Sequence, residues 1–472
     1  MAARDRLDAV LAGRFGLGPR LGDDPAARRD VASALEREMA RGGQLPPGAG
    51  ALPTSAAALA LNGEFQPEER RLAARQERET AEKAAADAME AARRAGQRPP
   101  PGYQPPASRI FRDEVAFRLR AAMEAEIGFT ERLVWFWSNH FAVAVAKGEQ
   151  LRLTAGAFER EAIRPHVHGS FRAMLKAVEQ HPAMLIYLDN RQSVGPASRA
   201  GQRRGRGLNE NLARELLELH TLGVDGGYSQ ADVTSLARAI TGWTVPGRFD
   251  EDAELGAFFF NANRHEPGPK TVLGRTYPDA GRAQGEAILD DLARHPATAR
   301  HIATKLARHF IADDPPAELV AALARAFARS DGDLPTVYRA LIAASPSHPE
   351  PRKLRPSLEF AVAALRMTGR PVDPGQALFV TQLLGQPIWN PPGPNGFPDT
   401  DAQWATPDGL KVRLETAMTF ARQTPGAANP LAILDATLGS ACSPATRQAV
   451  ARAESRAQGL AILLMSPEVQ RR

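Results

Sequence analysis

The chain has 472 residues, 43% hydrophobic and 24% charged, which is ordinary for a soluble globular protein and long enough for two or three domains or one large domain with insertions. Its net charge of +5 is spread over interspersed basic and acidic residues, which argues against a dedicated nucleic-acid binder. A single cysteine, Cys442, excludes an intrachain disulfide and a thiolate metal cluster, and no run of about 18 apolar residues marks a membrane span.

The N-terminus, MAARDRLDAVLAGRFGLGPR, lacks an apolar stretch followed by a small-residue cleavage site, so the expected compartment is the cytoplasm. Apolar periodicity predicts helices within 1–62, broken at GLGPRLGDDP. Residues 67–95 are charged and Ala-rich with few large apolar side chains, and RPPPGYQPPA follows. We expect 67–107 to be a protruding exposed helix and linker within a single unit spanning 1–472. A helix is expected over Phe111–Ile127, another beginning with Thr130 as its cap, and a short one over Phe158–Ile163. Ser170 should cap FRAMLKAVEQH. Beyond 245, Ala257–Asn261 and Lys270–Leu273 read as the two strands of one small β-hairpin. Helices are then expected near 285–294, 296–312, 316–328, 334–344, 355–368, 409–422 and 444–465, with a Pro/Gly-rich aromatic loop over Gly385–Trp404. The expected class is mainly α: a large multi-helix single core with one small β-hairpin and long Pro/Gly-rich loops.

The stretch from Leu208 to Val245 carries the densest polar pattern. At about 100° per residue, Leu212, Leu216 and Leu219 form an apolar stripe, and Asn211, Glu215 and Glu218 an adjoining one. Two carboxylates at the rim of a buried face can hold a divalent cation, or one can serve as a general base with its pKa raised by the other. The competing reading pairs them with arginines such as Arg214 or Arg238. His220 falls roughly 160° round a regular helix from Glu218 and is left out of the site on that ground. Gly223 fits a helix C-terminus, Asp225-Gly226-Gly227 a tight turn, and Ser229 with Asp232 a capping box.

Several further positions carry candidate chemistry. His140 shares a face with Leu133 and Trp137, and reads as a core histidine or as a ligand or acid/base. His181 sits at a helix end. Asp189-Asn190 suits an Asx turn. His265, beside Glu266 in a loop, is a stronger functional candidate than a helical histidine. Trp389, Phe397 and Trp404 beside Asn390 and Asn395 suit carbohydrate or peptide binding, or form a lid on the core. The basic loop Arg199–Arg206 suits phosphate or sulfate, or is a solvated segment. The chain has no P-loop, no GxGxxG after a strand, no HExxH and no GxSxG.

The segments RFGLGPR, FWSNHF, IRPHVHGSFRAMLKAVEQHPAMLIYLDN, GLNENLARELLELHTLGVDGGYSQADVTSLARAITGW, HEPGPKTVLG, HPATARHIATKLARHF and GQPIWNPPGPNGFPD occur in that order along nearly the whole chain. Together they resemble the DUF1800 family, bacterial proteins of unknown function. The positions matching its motifs are Asn139, His140, Asp189, Asn190, Asn209, Asn211, Glu215, Glu218, Gly226, Gly227, Trp243, His265 and Gly268. The family commonly has Phe where His220 stands here. The resemblance implies one helical unit, an exported setting, and a partner of the sulfatase- or phosphatase-like kind encoded nearby; it supplies no reaction.

The leading expectation is a hydrolase-like or metal-dependent enzyme. Glu215, His140 and His265 would be catalytic, and Glu215 with Glu218 would hold a divalent metal ion. Asn139, Asp189, Asn190, Asn209, Asn211, Trp243, Trp389 and Asn390 would form the binding surface. The alternative is a non-catalytic helical scaffold that binds a partner protein or a glycan.

Overall fold

The computed structural model describes residues 2–23, 30–66, 68–97, 102–204, 207–247, 253–348, 353–424 and 429–472. Part of the proline-rich linker, 98–101, and Gly205-Arg206 of the basic loop lie outside these. In chain order the helices include α1 (Ala2–Phe15), α2 (Val31–Ala40), α3 (Glu68–Arg94), α4 (Pro106–Glu124), α5 (Phe129–His140), α6 (Glu149–Phe158), α7 (Phe171–Glu179), α8 (Pro182–Tyr187), α9 (Asn211–Glu215) and α10 (Gln230–Ala239). Four short strands follow: β1 (Trp243–Thr244), β2 (Phe259–Phe260), β3 (Lys270–Val272) and β4 (Arg275–Tyr277). The chain then returns to helix in α11 (Arg282–Arg294), α12 (Pro296–Phe310), α13 (Ala317–Arg329), α14 (Leu334–Ala344), α15 (Ser357–Thr368), α16 (Pro374–Leu383), α17 (Pro407–Gln423), α18 (Pro430–Thr437), α19 (Pro444–Ala451) and α20 (Arg456–Leu464). The protein is mainly α-helical, as its apolar periodicity predicts.

Buried apolar side chains form a large cluster running from Leu11 to Trp389 and a second among the C-terminal helices. Every residue of α15 is buried, and it serves both: Leu358 and Val362 join the first cluster, Phe360 and Ala364 the second. Arginines tie the layers together. The buried Arg366 donates to the carbonyls of Gly18, Ala122, Ala125 and Glu126, covering helix-end and loop acceptors that burial would otherwise leave unpaired. By contrast, α3 has no buried residue and is laced by exposed pairs such as Arg75–Glu79 and Arg78–Glu82.

Local details depart from the sequence reading for identifiable reasons. Thr130 does not cap α5; Gly128 does, with φ 93°. The free N–H groups there go to the Glu38 carboxylate, which accepts from Ile127, Gly128, Phe129 and Thr130 at 2.7–3.2 Å. A carboxylate from α2 thus answers the helix dipole more strongly than a local hydroxyl would. The expected hairpin is two separate pairings: β1 with β2, and β3 with β4. Leu273 is the first residue of a two-residue turn (φ 51°, followed by Gly274 at 76°), held by its N–H to Asp232 Oδ1 at 2.7 Å. His181 lies at the start of α8, where Nδ1 accepts from the Ala183 N–H and the other nitrogen meets Glu161. The expected helix 444–465 divides into α19 and α20 because Ser455 caps a new start, accepting from the Gln458 N–H.

Candidate functional site

After α9 the helix widens into a π-helical turn, Leu216–Thr221, so positions assigned at 100° per residue no longer hold beyond Glu215. The correction falls on His220. It is fully buried, and Nδ1 meets the equally buried Glu179 Oε1 at 2.7 Å. Its carbonyl accepts from His140 Nε2 at 3.1 Å, and the two imidazoles lie 6.2 Å apart, with the His301 ring 6.0 Å from that of His140. Burial, then Lys305, His301 and His220, hold His140 well below the usual imidazole range, so it is neutral. His140 Nδ1, His220 Nε2 and Glu179 Oε2 have no hydrogen-bond partner.

On the outer side of that turn, Glu215 and Glu218 are half-buried. Burial raises the Glu215 carboxyl above its usual range; the nearby Glu218 charge works in the same direction, while His220 and Arg214 oppose it. Glu218 accepts from the Tyr228 hydroxyl at 3.1 Å. Asn211 is exposed, and its N–H donates to Asn209 Oδ1. The capping box of Ser229 and Asp232 and the positive-φ Gly223 and Gly227 form as the sequence predicts.

The remaining sequence candidates bind other groups and do not join those carboxylates. Asp189, left-handed at φ 59°, pairs with Lys147 at 2.5 Å. Asn190 is buried, and Nδ2 donates to the carbonyls of Ile240 and Trp243. Asn209 takes its own N–H to Ser193. Trp243 is fully buried against Gly285, where a Cβ would come within 2.6 Å of its ring. His265 donates from Nδ1 to the Thr241 carbonyl at 3.0 Å and lies 3.8 Å from Asp279. These contacts knit segment 187–211 to 241–266. Among the described residues, no three His, Cys, Asp or Glu side chains are grouped so as to hold a metal ion.

Asn139, Trp389 and Asn390 do converge, on the aromatic loop 385–404. Asn139 makes two hydrogen bonds with the Phe397 backbone, at 2.9 and 2.7 Å. Gly396, with φ 76°, is required there because a Cβ would lie 2.3 Å from the Asn139 carbonyl oxygen. Asn390 Oδ1 accepts from the Ala146 N–H, and the Trp389 carbonyl from that of Val145. Trp389 itself is left-handed (φ 49°), a strained conformation for a bulky residue that these contacts hold in place.

Under this loop is a cavity of about 70 Å³, space on the order of five water molecules. Its walls include Trp135, Ser138 and Asn139 of α5, Arg118 of α4, Glu359 of α15, and Gln386, Trp389, Phe397, Asp399 and Trp404. The Arg118 guanidinium stands between two indoles, 5.4 Å from the Trp135 ring centre and 5.0 Å from that of Trp389. Glu159, in the π-helical turn Glu159–Ile163, meets Arg118 at 3.2 Å and the Trp389 N–H at 3.0 Å. Glu359 is ringed by Arg132 and Arg472. Burial alone would raise its pKa, but those cations outweigh it and hold the carboxylate at about 2. Asp399, 3.2 Å from His309 Nδ1, is likewise held at about 2 against burial, by His309, Lys305 and Lys353.

Residues 10–471 match the model of a protein family of unknown function, DUF1800. The chain belongs to the DUF1800 family. No curated protein and no solved structure matches it.

This family member also carries a polar seam that the sequence reading passed over. Along α12, His301, Lys305 and His309 recur at four-residue spacing and so share a face. Along α5, Arg132, Phe136 and His140 do the same. The two rows meet: Arg132 Nη2 is 3.5 Å from His309 Nε2, the Phe136 and His309 rings are 5.3 Å apart, and His140 faces His301. The signal was the run HIATKLARH, three basic residues on a stripe beside an apolar one. Burial, then nearby Lys305 for His301 and Arg472 for His309, brings both histidines down to about 4. Among the described residues, no helix is long and apolar enough to cross a membrane.

Proposed function

We propose that this DUF1800 protein binds carbohydrate, with a sugar unit seated in the cavity beneath the 385–404 loop. The observation that carries this reading is the composition of the cavity lining: three indoles and Phe397, together with Ser138 and Gln386. Aromatic faces match the C–H faces of a sugar ring, and a few fixed polar groups select its hydroxyls. Tethering of the loop by Asn139 and Asn390 keeps those walls in place before binding. The test is calorimetric titration of the full chain with a panel of mono- and oligosaccharides. Phe397 is half-buried, so Phe397→Ala trims the wall without emptying the core. The expected result is saccharide binding weakened about tenfold or more in that variant. Equal binding by both proteins, or binding by neither, overturns the reading.

A second reading retains acid–base hydrolysis at Glu215. It is supported by the raised Glu215 carboxyl, which interacts electrostatically with Glu218 and with His220 of the Glu179–His220–His140 cluster. Glu215→Gln should then abolish turnover of a hydrolysable substrate and leave saccharide binding unchanged. The sulfatase- or phosphatase-like neighbour implied by the family is the protein partner we would test first, by co-purification.

A further inference from the structure

Cations on the elements that precede α12 have carboxylate partners. Arg275 pairs with Asp291, Arg282 with Glu286, Arg294 with Asp331, and Lys176 of α7 with Asp290. The cations of α12 do not follow this pattern. At about 100° per residue, Arg300, Thr304, Lys305 and Arg308 fall within an arc of about 140° on one side of the helix. Among the described residues, none of the three cations in that stripe forms an ion pair.

Arg300 is exposed, and water solvates it as it does most surface cations. Lys305 is in a different position. It is half-buried at the edge of the seam with α5, where its charge acts on both His140 and His301. Its ammonium carries three donors, and among the described residues none of them meets an acceptor. Burial lowers it from its ordinary range, Asp399 acts in the opposite sense, and Arg308 lowers it further. Arg308 follows at the i+3 position. Its Nε donates to the Asp313 carbonyl, and its terminal nitrogens have no partner among the described residues. Like charges at this spacing repel, and no carboxylate pairs with either.

The chemistry of a ligand follows from this set. Groups that only donate call for a group that only accepts. A doubly charged group gains about twice as much from each cation as a singly charged one. The Asp399 carboxylate opposes an anion here, but Lys353 as well as Lys305 acts on it, so the cations outnumber it. We infer that Lys305 and Arg308 hold a phosphate or sulfate group at the outer edge of the α5–α12 seam, with Arg300 adding attraction from one end of the stripe. Neither Lys305 nor Arg308 lines the cavity beneath the 385–404 loop, so this site is independent of the carbohydrate reading.

The experiment is calorimetric titration of the full chain at pH 7, at an ionic strength held constant with sodium chloride. The ligands are inorganic phosphate, sulfate, glucose 6-phosphate and acetate. A dianion should saturate one site, and acetate should bind at least about tenfold weaker. Lys305→Met keeps the apolar stem and removes the ammonium; Arg308→Gln removes the guanidinium charge. Each should weaken the dianion about tenfold or more. Phosphate should raise the urea midpoint of the wild type and leave that of Lys305→Met unmoved. Arg308→Gln changes a side chain at the surface edge and decides the matter if Lys305→Met folds poorly. Glucose 6-phosphate binding tighter than inorganic phosphate assigns an ester ligand, and the reverse order assigns the free anion; both uphold the site. The inference is overturned if no dianion binds saturably, if binding is unchanged in both variants, or if acetate binds as tightly as phosphate.

Discussion

The cavity beneath the 385–404 loop and the histidine cluster that follows α9 both draw on α5, yet they differ in packing. In the cluster, His140, His220 and Glu179 are packed against one another and against Phe141 and Trp137. The cavity, by contrast, is open space lined by residues that include Trp135, Arg118 and Glu359. A polar group enclosed by protein contributes to specifying one packing; the same group beside a cavity is a place for a guest. Adjacent residues make the division visible: His140 turns toward the cluster, while Asn139 turns toward the loop.

The largest effect expected is on acid stability. His301 and His309, held at about 4 against an ordinary 6.5, are neutral in the fold. Stability from that neutrality is complete above pH 6.5 and is lost as pH falls toward 4, on the order of 3 kcal/mol for each histidine. Glu359 and Asp399 are ionised in the fold and held at about 2. Their contribution is present above pH 4.5 and is lost as pH falls below that toward 2. Urea midpoints measured across pH 7 to 4 should therefore fall before the carboxylates titrate. Replacing His301 by Phe should flatten that fall by roughly one histidine's share; an unchanged slope would show that the seam is not its source.

Next in size is Glu359→Ala. It leaves Arg132 and Arg472 buried beside each other without their shared carboxylate. The expected loss is about 3–5 kcal/mol in chemical denaturation, because breaking a buried ion pair strands the opposite charge. Since Glu359 also lines the cavity, a milder Glu359→Gln is the variant for binding work.

The sharpest comparison of the two regions is Glu179→Leu, alone and with His220→Phe. The single change strands the His220 N–H and should cost about 1–3 kcal/mol. The double change replaces the pair by apolar groups of similar shape, so much of that loss should be recovered. Saccharide affinity should be the same in all three proteins. A fall in affinity would make the cluster part of the binding site and erase the distinction drawn above.

Much of this architecture is legible in the sequence, and the gaps have physical causes. The helices from 282 to 368, the Ser170 cap and the Ser229–Asp232 capping box follow local rules, and local rules act on neighbours along the chain. The loop residues Trp389, Phe397 and Trp404 with Asn390 and Asn395 were also identifiable as a polar-aromatic set, whereas Asn139 of α5 stood out only through the family resemblance. What escaped depends on partners far away. Glu38 replaces Thr130 as the α5 cap from another helix. The π-helical turn redirects His220 by breaking the period on which its exclusion rested. The α12 stripe of His301, Lys305 and His309 has a clear helical spacing, but its meaning appears only when α5 brings Arg132 and His140 against it.

The smallest predicted effect tests whether the loop is an element of its own or part of the core. Asn390 Oδ1 accepts one N–H, that of Ala146, and the contact lies at the exposed edge of the loop. Asn390→Ala removes one neutral hydrogen bond, worth about 1 kcal/mol. Trp389 beside it is held at a positive φ, so relaxation should begin there. The expected result is faster amide exchange through 386–397, an unchanged rate in α5 and α12, and a global urea midpoint within error of wild type. Such a split means that the loop can yield without disturbing the histidine seam. If exchange rises equally in both, the loop and the seam open as one cooperative unit, and pre-organisation of the cavity comes from the whole core and not from its tethers.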